Sequence, residues 1–158
     1  MSVALRSWVG RKGFCATLLA LMVLSGCGGS DPVQVDSGVA AFVGDWVADA
    51  LVVTSVANPD IHPDLIAIGA SFTLNVQDSG QYTAILIYAG QAQTEIGTVE
   101  VSGRTVTLKR DFPSRATSSS TFSFQGSDQF AMDGDTQFDF NLDGQAEAAR
   151  AHVEFHRK

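Results

Sequence analysis

The sharpest run of residues able to do chemistry is Asp139-Phe140-Asn141-Leu142-Asp143-Gly144. It has the spacing of the first half of a calcium loop, D-x-[DN]-x-[DN]-G, with oxygen donors at alternate positions and a glycine for the turn. The second half departs from that pattern. Where a bidentate Glu should close the shell stands Arg150, although Glu147 offers a carboxylate soon after the glycine. Phe138, Phe140 and Leu142 alternate with the three donors, as in a strand with one buried face. A strand spaces alternate residues about 6.6 Å apart, too far for them to share one ion. The expectation is therefore a solvated strand ending in an Asp143-Gly144 hairpin turn. Calcium held by Asp139, Asn141, Asp143 and Glu147 is the alternative.

His152, Glu154 and His156 form a second cluster, because alternate residues project from one strand face and neighbouring pairs reach a zinc-sized ion. They oppose the apolar Val153 and Phe155, so a water-facing outer wall is the expected place for them. His62 lies between Pro59 and Pro63 in a loop suited to cap a barrel mouth. The sequence holds no Gly-x-Ser-x-Gly elbow, His-Glu-x-x-His helix or phosphate loop. No local arrangement pairs a nucleophile with its base, and a protein without enzymatic activity is expected. The Ser-rich stretch from Ser114 to Thr121 reads as a surface loop.

The N-terminus has a different logic. Arg6, Arg11 and Lys12 precede an apolar run from Phe14 to Leu24, broken by Cys15 and Thr17, and then comes Leu24-Ser25-Gly26-Cys27. A charged region, an apolar region and small residues before a cut are the parts of a signal peptide. The apolar run is about 11 residues, whereas a spanning helix needs roughly 20. The segment resembles the lipobox of bacterial lipoproteins. That resemblance implies cleavage before Cys27, a diacylglycerol on its thiol and an acyl chain on its new amino group. Gly28, rather than Asp, follows the cysteine, which is similar to outer-membrane sorting in diderm lipoproteins. The expected location is the cell envelope, on the periplasmic face of the outer membrane.

Loss of residues 1–26 would take the net charge from −7 to about −10. An acidic chain with few, scattered Lys and Arg does not suit nucleic acid, whose phosphates need a basic face. Both cysteines fall at or before Cys27, so the remainder has no disulfide and its core must carry the stability. Residues 28–40, GGSDPVQVDSGVA, are too poor in apolar groups to fold and read as a flexible tether. The organisation expected is signal peptide 1–26, lipidated cysteine and tether 27–41, and one domain over 42–158.

Within that domain, short β-rich runs recur between clusters of Gly, Asp, Asn and Ser, an all-β signature. Phe72, Leu74 and Val76 alternate with Ser71, Thr73, Asn75 and Gln77. The runs cover Trp46–Val56, Ser71–Gln77, Tyr82–Tyr88, Thr94–Val101, Arg104–Arg110, Thr121–Gln125, Gln129–Met132, Thr136–Asn141 and Ala148–Arg157. Tight links at Ala89-Gly90-Gln91, Ser102-Gly103, Gly126-Ser127-Asp128, Asp133-Gly134 and Asp143-Gly144 imply sequential antiparallel neighbours. Eight or nine such strands leave exposed edges unless the sheet closes, so an antiparallel up-and-down barrel is expected. A two-sheet sandwich is the alternative. Candidates for the inward face are Phe72, Leu74, Phe122, Phe124, Phe138 and Phe140.

Gly44-Asp45-Trp46, preceded by Phe42, opens the first run, and Arg157 ends the last. Together these resemble a lipocalin-type barrel, in which the Gly-x-Trp tryptophan closes one end and an arginine from the last strand packs across its ring. The Thr-Asp-Tyr motif and following helix of transport lipocalins are missing, so the chain is more similar to the small lipocalin-like domains of bacterial lipoproteins. The resemblance implies a lumen that takes a small apolar ligand. The rival expectation is an envelope protein-interaction or inhibitory module whose barrel is filled by its own side chains.

Overall fold

Alternation of apolar and polar residues gives each strand one face for a core and one for water, and the chain uses it eight times. A computed structural model describes residues 38–141 and 143–158. The expected signal peptide 1–26, Cys27, the expected tether up to residue 37 and Leu142 lie outside the described residues. A short 3-10 turn (Val39–Phe42) leads into β1 (Gly44–Ser55), β2 (Ser71–Val76), β3 (Gln81–Tyr88), β4 (Gln91–Ser102), β5 (Thr105–Phe112), β6 (Ala116–Phe124), β7 (Gln129–Phe138) and β8 (Glu147–Arg157). Each strand pairs antiparallel with the next, and β8 returns to β1 to complete a closed barrel. The architecture is the up-and-down barrel, and the sandwich is excluded.

The strands are eight rather than nine because Asp133-Gly134 is not a turn. Both residues lie inside β7, where Gly134 stands opposite Ser120 of β6 and Ala151 of β8. A Cβ on Gly134 would sit 2.3 Å from Ser120 Oγ and 3.1 Å from its Cβ, so a larger residue here would force the Ser120 side chain to move. The Ser-rich loop is also corrected: Ala116 to Thr121 pair with β5 from Arg110 to Thr105. Backbone ladder bonds hold this stretch as a strand although its side chains carry almost no apolar signal. In β1 a bulge around Asp49 shifts the parity, so the buried residues run Trp46, Ala48, then Leu51, Val53 and Ser55.

One end of the barrel is a packed aromatic floor. Phe42, carried by the 3-10 turn, meets Phe122, Phe124 and Phe130 with ring centroids 4.9, 5.0 and 5.2 Å away. Trp46 packs edge-on against Phe130 at 4.7 Å and donates its indole N–H to the Phe42 carbonyl at 2.7 Å. Arg157 lies across the outer side of the indole, its guanidinium carbon 4.1 Å from the ring centroid. The same guanidinium donates to the carbonyls of Val43 at 2.7 Å and Ser127 at 3.3 Å. Gly44 leaves the room for this: its φ is +134°, and a Cβ there would fall 2.3 Å from Arg157 Nη1. The structure thus brings Gly44, Trp46 and Arg157 into one contact.

A lysine at position 157 keeps the charge but cannot stack on the indole and bond two carbonyls at once. Arg157→Lys is expected to lower stability by about 1–2 kcal/mol, the scale of one cation–π contact plus a lost hydrogen bond. Urea denaturation followed by intrinsic tryptophan fluorescence measures it, and an unchanged midpoint would contradict the role given to the fork.

Candidate ligand cavity

Above the floor the lumen is hollow. A cavity of about 580 Å³ fills the upper barrel, in the range of roughly 300–1,000 Å³ common for small-molecule sites. Its wall on β8, β1, β2 and β3 is apolar, with Leu51, Val53, Phe72, Leu74, Leu86, Val153 and Phe155. The opposite wall, on β4 to β6, is mixed: Leu108 is apolar, whereas Gln93, Glu95, Ser118 and Ser120 are polar. The space exists because small residues occupy inward positions there. Ser118, Ser120, Gly134 and Ala151 stand at successive inward sites on β6, β7 and β8, where larger side chains would fill the lumen.

The six inward candidates divide between the two halves. Phe122 and Phe124 belong to the floor, while Phe72, Leu74 and Phe138 line the cavity. Phe140 lies beyond the end of β7 and packs edge-on against Phe138 at 5.0 Å. Leu65 is a wall residue that pattern reading did not find. It follows Pro63 in the loop between β1 and β2, and its N–H donates to Leu51 O while Val53 N–H donates to Pro63 O. The loop is thereby laid along β1, with Leu65 fully buried beside Leu51 and Val53. Asp64 fixes the bend, its Oδ1 accepting the N–H groups of Leu51 and Ile66 at 3.0 Å each. His62 stays exposed in this loop, its ring nitrogen 3.2 Å from Pro59 O.

β6 and β7 part above the Ser120–Gly134 pair, the last in their register. The upper residues of β6 pair only with β5, and those of β7 only with β8. Ser118 on one margin and Thr136 on the other both line the cavity, so it reaches the side wall as well as the top.

Glu95 and Arg110 bring charge to the mixed wall. Arg110 Nη1 donates to Glu95 Oε1 at 2.5 Å, and its Nε to Ser114 O at 2.9 Å, which pins the guanidinium beneath the β5–β6 turn. Lower on the same side, Tyr82 is fully buried opposite Gly97, and its hydroxyl has no hydrogen-bond partner among the described residues. Burial, reinforced by the negative charge of Glu95, pushes the Tyr82 hydroxyl up to about 12, so it stays neutral at physiological pH.

The calcium-like run is not the strand expected. β7 ends at Phe138, and residues 139–141 and 143–146 lie outside any strand. Asp139 accepts the N–H groups of Asp143 and Gly144 at 3.2 and 2.7 Å, and Asp143 Oδ1 accepts that of Gln145 at 2.8 Å. Glu147 Oε2 accepts the Phe140 N–H at 3.2 Å. Self-bonding of short polar side chains to nearby backbone has won over the extended chain. The donors are therefore closer than strand spacing allows. They are occupied in building the turn, and no group of three or more His, Cys, Asp or Glu able to hold a metal ion occurs among the described residues.

His152, Glu154 and His156 lie on the outer wall. His152 Nδ1 is 2.7 Å from Asp133 and its Nε2 is 3.3 Å from Glu154, while His156 Nδ1 is 2.8 Å from Asp49. The hydrogen bond to Asp133 raises the His152 pKa above its usual 6.5, against the opposing effect of partial burial, with Glu154 adding to the rise. No helix among the described residues is long and apolar enough to cross a membrane. No protein-family model matches the sequence, and no curated protein matches it.

Two outcomes follow. Tyr82→Phe removes a buried hydroxyl without a partner, so the variant should be as stable as the parent or up to about 1 kcal/mol more stable in chemical denaturation. A clear loss would mean that the hydroxyl is bonded in solution. Because the folded-state pKa of His152 is raised, its stabilisation is full below the unfolded value and fades as pH rises through the folded one. NMR titration should place the His152 midpoint above 6.5, and Asp133→Asn should bring it down. An unmoved midpoint would contradict the assigned cause.

Proposed function

We propose that this protein is a non-enzymatic, lipid-anchored envelope lipoprotein whose barrel binds a small apolar ligand in its upper lumen. The observation that carries the reading is the cavity itself: about 580 Å³, bounded on one side by Leu, Val and Phe side chains and closed below by the Trp46 floor. Burial of apolar surface contributes about 25 cal/mol per Å², so a ligand filling this wall gains from the same effect that packs the floor. The lipobox-like run ending in Cys27 supplies the anchor in this reading, since two or more acyl chains hold a protein durably where one binds marginally. Anchorage at the outer membrane would set the barrel beside a source of apolar molecules.

A second observation favours the interaction module as a rival. Ile85, Ile87, Ile96 and Phe112 face outward with 37, 45, 45 and 54 % exposure. Ile96 stands directly opposite Phe112, and Ile85 is diagonal to Ile96 across β3 and β4, so the four make one stripe on the wall. An apolar stripe of this kind suits a protein partner.

Ser118→Phe places a bulky ring into the open lumen without displacing any core side chain. The full chain carrying Cys27→Ser should bind the neutral probe N-phenyl-1-naphthylamine with a rise in its fluorescence, and Ser118→Phe should weaken that binding by about tenfold or more. Equal binding by both would place the probe outside the lumen. Ile96→Glu should leave the probe unaffected; loss of binding in that variant would favour the outer stripe. For the anchor, protein made in a lipoprotein-processing host should carry diacylglycerol and acyl mass on Cys27 and lose it in Cys27→Ser.

A further inference from the structure

We propose, on the basis of the lumenal reading above, that the cavity selects an uncharged amphiphile: a hydrocarbon chain with a hydroxyl-bearing head, the head set against Gln93, Glu95, Ser118 and Ser120. The argument starts from the asymmetry of the wall. The chain of such a molecule would lie on the Leu51, Phe72 and Phe155 side, and the strands opposite present hydroxyl, amide and carboxylate groups. The head must satisfy those groups or leave them stripped of water, which is costly.

The charge at the polar wall is already matched. Glu95 is the carboxylate whose side chain faces inward from β4, and Arg110 holds its Oε1 while being fixed itself by the Ser114 carbonyl. The pair therefore presents dipoles and a free acceptor, Glu95 Oε2, rather than a net charge. The other acids at the rim keep their charge, but their oxygens point away from the polar wall, toward their own turn or toward water. Asp139 is bonded to backbone N–H groups of its own turn, Glu147 to Phe140, and Asp135 is fully out in water, 3.8 Å from Arg150. At the polar wall itself a ligand ammonium or carboxylate would find no unmatched counter-charge, whereas hydroxyls can donate to Glu95 and exchange bonds with Ser118, Ser120 and Gln93. The Glu95 and Arg110 side chains are 39 and 27 % exposed, so water softens the penalty and the discrimination expected is modest.

The test uses three probes that share a dodecyl-type chain and differ only in the head: monolauroylglycerol, laurate and dodecylamine. Each competes at neutral pH, below its micelle concentration, against N-phenyl-1-naphthylamine on the full chain carrying Cys27→Ser. Monolauroylglycerol should bind at least about tenfold more tightly than either charged probe. Glu95→Gln, which leaves Arg110 unmatched, should shift the preference toward laurate by about tenfold. Arg110→Gln, which leaves Glu95 unmatched, should shift it toward dodecylamine. The double variant restores the balance and should return to the uncharged probe; its ranking and that of the parent decide the matter even where a single variant melts early. Charged probes binding as tightly as the glycerol ester, or single variants that keep the parent's ranking, would overturn the head-group inference while leaving lumenal binding intact. Failure of all three to displace the fluorophore from the parent would overturn both.

Discussion

Everything above the floor depends on how Trp46 is held. Its indole is fixed on three sides: Phe130 packs against it edge-on, the Phe42 carbonyl takes its N–H, and Arg157 lies over its outer face. Arg157 in turn bonds the carbonyls of Val43, ahead of β1, and Ser127, ahead of β7. One side chain thus joins the last strand to the entry of the first and to a turn between two others. That places the seam of the barrel and its plug under a single constraint. With the lower half packed, small residues can be tolerated at inward positions above it.

Hollowness is then a matter of side-chain size rather than of fold. An eight-stranded barrel is just wide enough to be filled by its own side chains or to keep one small space. Here the lower half takes the first course, with Phe42, Phe122, Phe124 and Phe130 clustered and Phe155 stacked on Phe130. The upper half takes the second, because Ser118, Ser120, Gly134 and Ala151 withhold the volume that rings supply below. Ser118 and Ser120, on the margin where β6 separates from β7, both make room and bring hydroxyls to the mixed wall.

Much of this was legible in the sequence where a residue's role is local. Alternation at Phe72, Leu74 and Val76 marks an inward strand face, and the glycine turns mark most of the hairpins. Two of the readings that failed did so where a distant strand decides. Asp133-Gly134 carries a turn's residue types, yet it lies mid-strand, paired with Ser120 of β6 and Ala151 of β8. Ala116 to Thr121 lack apolar side chains, and only ladder bonds to β5 make them a strand. Asp139 to Asp143 alternate like a strand, but their short side chains bond the backbone around Gly144 instead. Leu65 sits in a loop between Pro63 and Gly69, and no periodicity announces that it completes the cavity wall. The cavity was the least legible feature, because it depends on which small residues from separate strands meet at one height.

Crystals soaked with 1-bromododecane and measured at the bromine absorption edge test the lumenal account most directly, because the anomalous signal locates the apolar molecule without assumption. The account predicts bromine inside the barrel, within contact of Leu65, Phe72 and Phe138 and above the Trp46 floor. Bromine confined to the outer stripe of Ile85, Ile87, Ile96 and Phe112, over a lumen filled by its own side chains, would contradict it.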